Sequence, residues 1–365
     1  MSSKSLSGKI AVVAGATRGA GRGIATALGE AGATVYCTGR STREHGATAG
    51  RPETIEETAD IVSAHGGRGI PVRVDHTVPP EVEALAERIK REAGGLDILV
   101  NDVWGGDDLT AWGKTLWEHS LDDGLLMLQR GIHSHIITSR FLGPLLFDRP
   151  NALLAEVTDG VEASYRGNIY YDLVKSSVIR LAMALGYEMR SRGVTAVAVS
   201  PGFLRSERML TLFGVTEATW RDHIARDAHW AESETPLFVG RGIAALAADP
   251  DHWRDNGKAL ASWDLGERYG IEDADGRRPH WGKHIEAAMD DAWKDLVATT
   301  TATLAACAPG VELASDRKTL TLSAGRAKRE VLPPELFFSK PETIAQELCA
   351  MCARPAANSA TSLSA

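Results

Sequence analysis

Between about Lys9 and Ala261, short runs of β-branched and other apolar residues alternate with longer stretches that carry apolar residues at helical spacing. Such alternation is typical of repeated strand–helix units and predicts a parallel sheet. Several of the short runs are apolar throughout, as expected for strands that helices cover on both faces. We therefore predict an α/β protein with a doubly wound, mainly seven-stranded parallel sheet and a helical C-terminal extension.

The individual elements follow from this alternation. The predicted strands are Ile10 to Ala14, Thr34 to Thr38, Gly69 to Val74, Asp97 to Asn101, Ala152 to Val157, Thr195 to Ser200 and Lys258 to Ser262. The predicted helices are Gly21 to Ala31, Glu53 to Ala64, Pro80 to Glu92, Asp122 to Leu146, Tyr171 to Ser191 and Pro236 to Ala247. The segment from Phe203 to Glu234 breaks the rhythm and contains Trp220 and Trp230, so we assign it to a mobile cover over a substrate pocket. A plain surface insertion is the alternative.

The chain has 365 residues, more than the roughly 250 of a large single domain. The alternation stops after about Gly282, where a helix from His284 to Ala298 precedes Thr- and Ala-rich sequence. We therefore predict one domain over residues 1–282 and an extension over residues 283–365. The last ten residues, from Ala356 onward, are small and polar enough to fray.

The composition excludes several classes of function. The formal charge is −8 and no run is dense in Lys or Arg, so we expect no nucleic-acid partner. The polar N-terminus lacks the pattern of a signal peptide, and no stretch of about 18 apolar residues occurs, so we expect a cytoplasmic protein without a membrane partner.

The cysteines are sparse. Only four occur, Cys37, Cys307, Cys349 and Cys352, which is too few for a disulfide framework in a chain of this length. The last two form a Cys-x-x-Cys without a second pair. We therefore expect reduced, buried structural thiols and no metal site.

The first predicted strand leads into a glycine-rich turn with the spacing Gly-x-x-x-Gly-x-Gly. Glycine lets the backbone approach a pyrophosphate, and the following helix directs its free N–H groups and the positive end of its dipole at the anion. The turn predicts a dinucleotide site on a Rossmann fold, with tight packing alone as the alternative. The predicted cofactor-binding residues here are Gly15, Thr17, Arg18, Gly19, Ala20 and Gly21.

The second predicted strand ends without the acidic residue that usually binds the ribose 2′-hydroxyl of NAD. It is followed by Arg40, Ser41 and Arg43, and the turn adds Arg18. These cations and donors match a 2′-phosphate, which favours NADP(H) as the cofactor. Solvated loop arginines are the alternative reading.

A phenol and an ammonium stand four residues apart at Tyr171 and Lys175, where the helix after the fifth strand begins. Residues at this spacing share one face of a helix. A phenol with an ordinary pKa of about 10 needs a nearby cation to act as a general acid and base near neutral pH. Thr158 adds a hydroxyl at the end of the fifth strand, thirteen residues before Tyr171. Tyr170 is a rival phenol, but Val174 stands four residues after it.

These features together resemble the short-chain dehydrogenase/reductase (SDR) family, which has the same glycine spacing and a Ser, Tyr and Lys at the same intervals. Asn101 matches the first residue of the family's Asn-Asn-Ala-Gly, and the Pro-Gly after the sixth strand matches its closing segment. The run from Tyr269 to Gly276 is similar to a tail found in a divergent subgroup. The resemblance covers about Lys9 to Gly276.

The resemblance implies an NADP(H)-dependent oxidoreductase that acts on a carbonyl or alcohol. In it, Tyr171 exchanges the proton, Lys175 also holds the nicotinamide ribose, and Thr158 positions the substrate oxygen. Ser206 would hold the carboxamide and Asp75 would lie near the adenine. The other implied cofactor residues are Asn101, Pro201, Gly202, Phe203 and Leu204, and the implied substrate pocket is Trp104, Asp159 and Phe203.

The sequence also departs from the family. Gly131 stands where the family places an Asn, thirteen residues before Pro144, that organises a water chain to the lysine. Either His133 or a water takes its place, or the proton relay is impaired. An NADP(H)-binding sensor or scaffold with little turnover is therefore the alternative function.

Trp104, Phe203 and Leu204 predict an apolar pocket wall, which favours a small hydrophobic ketone, aldehyde or alcohol as the substrate. In the family, the helices that correspond to Asp122 to Leu146 and Tyr171 to Ser191 pair across a two-fold axis. The resemblance therefore implies a homodimer or homotetramer.

Overall fold

A computed structural model of the chain describes residues 4–46, 48, 50–162, 165–307, 312–315, 320–324, 327–331, 342–344 and 346. The chain divides into two compact units. The first comprises Met1–Ala163 and Asn168–Gly282, and the second comprises Ser164–Gly167 and Lys283–Ala365. The candidate site lies in the first unit.

The first unit contains a parallel sheet of seven strands in the order β3-β2-β1-β4-β5-β6-β7. The strands are β1 Ile10–Ala14, β2 Thr34–Gly39, β3 Arg68–Arg73, β4 Ile98–Asn101, β5 Ala152–Val157, β6 Val194–Ser200 and β7 Ala259–Ala261. The predicted doubly wound α/β fold is confirmed. The strand order reverses between β1 and β4, and in such sheets ligands bind at the carboxyl ends of the strands near this reversal.

Helices cover both faces of the sheet. They are α1 Gly19–Glu30, α2 Ile55–Ala64, α3 Pro79–Ala93, α4 Leu121–Leu128, α5 Ser134–Leu142, α6 Ile169–Met189, α7 Glu207–Phe213, α8 Pro236–Ala248 and α9 Ser262–Tyr269. Successive residues of β1 face opposite cores, since Val13 belongs to one apolar cluster and Val12 to the other. Alternate burial of this kind explains why the strand is apolar throughout.

Helices α1 and α8 cross closely because glycines form their contact. A Cβ on Gly23 would lie 2.1 Å from the carbonyl oxygen of Pro236, and one on Gly240 would lie 2.5 Å from that of Gly23. Any larger side chain would separate the helices. This close crossing helps to fix α1, and with it the glycine-rich turn at its start.

The single long helix predicted over Asp122 to Leu146 is wrong in detail. It is divided into α4, a π-helical turn at Gln129–His133, α5 and a 3₁₀ turn at Gly143–Leu146. Gly131 lies within the π turn and Pro144 within the 3₁₀ turn. Glycine has low helix propensity and proline lacks the N–H group, and π turns often occur at functional sites. The apolar periodicity continues through both irregularities and so did not reveal them.

The 203–234 segment forms α7 and two 3₁₀ helices, Trp220–Ala225 and Ala228–Glu232. Its tryptophans are buried within it: Trp220 lies under the guanidinium of Arg205, and Trp230 contacts the ring of Phe203. They therefore hold the segment together instead of lining a pocket. Both ends of the segment meet at a bridge between Leu204 and Glu234.

The second unit contains a three-stranded antiparallel sheet, β8 Glu312–Ser315, β9 Leu320–Ala324 and β10 Ala327–Val331. Helix α10 runs from Trp281 to Cys307 and is longer than the predicted His284 to Ala298. These three strands were not predicted from the sequence. The predicted thiols Cys349 and Cys352 lie outside the described residues. Among the described residues, no helix is long and apolar enough to cross a membrane.

Candidate active site

The glycine-rich turn joins β1 to α1 at the carboxyl edge of the sheet. Gly15 has a φ of +93°, and a Cβ there would lie 2.3 Å from the carbonyl oxygen of Asp102. A Cβ on Gly21 would lie 2.3 Å from the carbonyl oxygen of Gly15. These two positions therefore require glycine, because the turn folds tightly against the end of β4.

A carboxylate already occupies the start of α1. The N–H of Gly19 donates to Oε2 of Glu207 at 2.8 Å, and Nε of Arg22 lies 3.7 Å from the other carboxylate oxygen. Glu207 is the first residue of α7 in the 203–234 segment. The free N–H groups and dipole of a helix N-terminus attract anions, and Glu207 demonstrates that this one holds an oxyanion.

A cavity of about 950 Å³ lies beyond the end of β2. Its lining residues are Arg40, Thr42, Arg43, Glu44, His45, Gly46, Glu56, Arg73 and Asp75. Arg40 and Arg43 thus face one cavity, together with the carboxylates of Glu44, Glu56 and Asp75. Arg18 is placed elsewhere, because its Nε donates to Glu53 at 3.3 Å.

Carboxylates balance these arginines. Arg40 lies 3.6 Å from Asp75, and Arg43 pairs with Asp60. Burial alone would raise the pKa of Asp75, but hydrogen bonds from Thr77 and the charge of Arg40 outweigh it and hold the pKa below its usual range. A phosphate entering the cavity would therefore compete with Asp75 for Arg40.

The phenol of Tyr171 is held by a neighbouring acid. Its hydroxyl donates to Oδ2 of Asp159 at 2.8 Å. Helix α6 starts two residues earlier, and the side chain of Asn168 caps it by accepting from the N–H of Tyr171. Tyr170 is buried against Gly124, where a Cβ would lie 2.3 Å from its ring, so its role is packing.

Two aromatic rings and Lys175 lie around this phenol. The indole of Trp104 meets the Tyr171 ring edge-on, with ring centroids 5.5 Å apart, and Trp112 lies 5.4 Å away. Lys175 Nζ lies 4.4 Å from the Trp104 centroid and 5.4 Å from that of Tyr171. The structure thus brings the predicted Tyr171, Lys175, Trp104 and Asp159 together. Trp112 was missed, since nothing in its local sequence distinguishes it.

The hydroxyl of Thr158 makes a different contact from the one expected. It is buried and donates to the main-chain carbonyl of Lys175 at 2.8 Å. In this arrangement it ties the end of β5 to α6. To position a substrate oxygen it would have to rotate away from that carbonyl, so the substrate role of Thr158 stays a prediction.

The side chain of Asn101 is fully buried and donates to Ser139 at 2.9 Å and to Glu156 at 2.8 Å. The other oxygen of Glu156 lies 2.5 Å from Nδ1 of His135, whose Nε2 lies 3.1 Å from the carbonyl oxygen of Val103. This network holds the loop that carries Trp104. Sequence reasoning missed it, although a glutamate inside the apolar β5 was a usable signal.

Asp102 stands between the glycine-rich turn and the lysine. Burial raises its pKa to about 7, although the charges of Lys175 and His135 and a hydrogen bond from the N–H of Gly21 oppose the rise. The family places an amide at this position. A carboxyl that is partly protonated near neutral pH places less negative charge beside a phosphate-binding turn.

The segment after β6 approaches the same turn. Ser206 lies beside Gly19, 3.8 Å from where a Cβ would stand, and its hydroxyl caps α7. Phe203 stacks on Trp281 with centroids 5.6 Å apart. Gly202 donates its N–H to Ser262 at 3.2 Å. Of the predicted residues from Pro201 to Ser206, Ser206 thus lies beside the glycine-rich turn, whereas Phe203 packs against Trp230 and Trp281.

At Gly131, where the family places an Asn, side chains from other elements fill the space beside the helix. A Cβ on Gly131 would lie 2.6 Å from Cγ1 of Val174 and 3.0 Å from the Trp104 ring. His133 is exposed, so it is not placed to substitute for the missing amide.

The sequence matches known proteins over the same region. The family model for short chain dehydrogenases matches residues 9–213. Dehydrogenase/reductase SDR family member 1 of Mus musculus is 34% identical over 279 residues, which cover 74% of this chain and 85% of the relative. A 3-oxoacyl-(acyl-carrier-protein) reductase of Escherichia coli is 31% identical over 205 residues, 55% of this chain and 75% of the relative.

Solved structures agree in fold. A short chain dehydrogenase of Mycobacterium thermoresistibile has a TM-score of 0.63 at 22% identity, covering 76% of this chain and 92% of its own. The L-sorbose reductase of Gluconobacter frateurii, solved with NADPH and L-sorbose, has a TM-score of 0.58 at 20% identity, covering 71% and 96%.

Fold, site and family match define the class: an oxidoreductase that uses NAD(H) or NADP(H) to transfer hydride to or from a small molecule. The chain belongs to the short-chain dehydrogenase family.

Proposed function

We propose that this protein is an NADP(H)-dependent reductase or dehydrogenase in which Tyr171 exchanges a proton with the substrate oxygen. The observation that carries the proposal is the placement of the Tyr171 hydroxyl, which lies beside Asp159 with the Lys175 ammonium over the neighbouring rings. A protein that only bound the cofactor would have no use for an aligned phenol and ammonium.

The chain offers a fitting cradle for the cofactor. The glycines of the turn leave room for a pyrophosphate, and the α1 N-terminus already holds the carboxylate of Glu207. Arg40 and Arg43 would hold the 2′-phosphate, while Ser206 and Lys175 would hold the nicotinamide end. The nicotinamide, when bound, supplies or accepts the hydride.

Proton movement belongs to the protein. In reduction, the Tyr171 hydroxyl gives its proton to the carbonyl oxygen as that oxygen gains negative charge. The Lys175 ammonium stabilises the phenolate that remains, whereas the Asp159 carboxylate favours the neutral phenol and orients it. The two charges therefore oppose each other, and the phenol must turn its O–H from Asp159 to the substrate oxygen before it donates the proton.

The surroundings of the phenol favour an apolar substrate. Trp104 and Trp112 flank it, and Trp112 is 57% exposed, so its ring offers free surface at the mouth of the site. Aromatic walls of this kind bind the apolar body of a ligand while one polar group fixes its orientation. A small hydrophobic ketone, aldehyde or alcohol fits this chemistry.

We further propose that residues 1–282 carry the reaction in a cytoplasmic protein and that residues 283–365 form an extension to this domain.

We also propose that the protein forms a homodimer or homotetramer. Leu125 of α4 and Met183 of α6 are about half exposed, which suits pairing of these helices between two copies. Light scattering at micromolar concentration tests the assembly, and a monomer would contradict it.

Cofactor preference tests the proposed function. Wild type should reduce members of a hydrophobic carbonyl panel with NADPH and bind NADPH more tightly than NADH. Arg40→Ala should lose about tenfold or more of NADPH affinity, because a charge-assisted contact is removed, with little change for NADH. Arg88→Ala is the control, because this partly buried arginine of α3 pairs with Glu92 and does not line the cavity. Equal affinities in wild type would contradict the NADP(H) assignment, and binding without turnover would favour the sensor.

A further inference from the structure

The Trp104 ring occupies a slot that two glycines make possible. A Cβ on Gly106 would lie 2.4 Å from Cη2 of the indole, and one on Gly131 would lie 3.0 Å from Cζ3. The indole N–H donates to Oδ1 of Asp107 at 2.7 Å. The ring is thus fixed on both sides and at its polar edge, so its orientation is defined.

The defined ring faces the ammonium. Lys175 Nζ lies 4.4 Å from the Trp104 centroid, well within the roughly 6 Å over which an aromatic face attracts a cation. Tryptophan provides the strongest such face among the side chains. A lysine carries its charge on a flexible stem, and this contact is one restraint on where that charge lies.

The slot coincides with the departure from the family at Gly131. A Cβ on Gly131 would overlap Val174 and crowd the indole, so an amide side chain there would require both side chains to move. The loop after β4 supplies the indole instead.

We propose that Trp104 is a positioning residue for Lys175, and that its indole, lying against Gly131 where the family places an Asn side chain, holds the ammonium by a cation–π contact. The inference rests on the proposed function, because it concerns the same Tyr171 and Lys175. The carboxylate of Asp107, which accepts the hydrogen bond from Trp104, also lies 3.4 Å from Nε of Arg208, so it connects the indole to α7.

The test is the pH dependence of kcat for alcohol oxidation, where the phenol must lose its proton before it can accept one. In Trp104→Leu the ammonium loses its aromatic face, so the acid limb should move up by about one pH unit and kcat at neutral pH should fall about tenfold. Trp104→Phe keeps a weaker face and should shift the limb by less than half as much.

Trp112→Leu is the matched control, because its indole also contacts Tyr171 while Lys175 lies over Trp104. It should raise KM and leave the acid limb in place. A titration of tyrosinate absorbance, taken as the difference between each variant and its Tyr171→Phe double, follows the same phenol without turnover. Thermal unfolding verifies that each variant folds. If a leucine variant does not fold, the single variants Trp104→Phe and Trp112→Phe are compared in the same way.

An acid limb in Trp104→Leu that stays with wild type, or one that Trp112→Leu shifts equally, would overturn the inference. Retained turnover in Tyr171→Phe would instead overturn the proposed function. The two failures are therefore distinguishable.

Discussion

At the scale of single residues, the spacing of Tyr171 and Lys175 predicted which phenol and which ammonium would share a helix face, and the structure places both at one site. The acceptor of the phenol could not be predicted. Asp159 lies twelve residues before Tyr171, across a loop whose course depends on the whole sheet. The need for a glycine at position 131 could not be predicted either, because the indole that packs against it belongs to Trp104, in the loop after β4.

A buried acid makes a residue-scale prediction about pH. Burial raises the pKa of Glu234 to about 8, and the negative charge of Asp273 adds to the rise. Hydrogen bonds from Ser262 and Gly202 and the positive charge of Arg205 lower the pKa but do not outweigh the burial. Below about pH 4.5 the carboxyl is protonated in both states. As pH rises from there to about 8, the unfolded chain releases the proton and the folded chain keeps it, so folding loses stability.

Glu234→Gln removes this titration while keeping an oxygen that accepts from Ser262. We expect the variant to gain stability over wild type at pH 8 by roughly 2 kcal/mol or more and to gain little at pH 4.5. Denaturant unfolding at the two pH values measures the difference. Glu87→Gln, exposed on α3, should show no such trend. An equal effect of Glu234→Gln at both pH values would contradict the raised pKa.

At the scale of elements, the glycine turn and the first helix were predictable because the residues involved are adjacent in sequence. The carboxylate on that helix was not, since Glu207 is 188 residues away from Gly19. The same limit applies to the division of the helix at Gln129–His133, where the apolar pattern continues although the hydrogen bonding changes. Local patterns predict elements, while contacts between elements need the folded chain.

Glu207 occupies the place where the start of α1 would receive a phosphate, so the two compete. Glu207→Gln should therefore tighten NADPH binding about three- to tenfold, because it weakens the contact that a phosphate must displace. Calorimetry measures the dissociation constants.

The control for this prediction is Glu57→Gln, which alters a second carboxylate on Arg22, 2.8 Å from its Nη2, without reaching the turn. Its affinity for NADPH should stay near that of wild type. Weaker binding in Glu207→Gln would show that Glu207 supports the cofactor site instead of competing for it.

At the scale of the whole molecule, the seven-stranded sheet was predictable because each strand is a compact apolar run between helical patterns. The second unit was less predictable, because β8 to β10 are only four or five residues long and the sequence from 312 to 331 is rich in charged residues. The family match confirms the class of reaction, while the chemistry of the site still rests on one phenol.

The most direct test of Tyr171 as the proton donor is the turnover of Tyr171→Phe with NADPH, compared with that of Tyr170→Phe and Lys175→Ala. Tyr171→Phe should lose turnover and keep NADPH affinity, because only the hydroxyl is removed. Lys175→Ala should lose both, and Tyr170→Phe should stay close to wild type. If Tyr171→Phe kept more than about a tenth of wild-type turnover, a loss of less than about 1.4 kcal/mol in the barrier, Tyr171 would not be the proton donor.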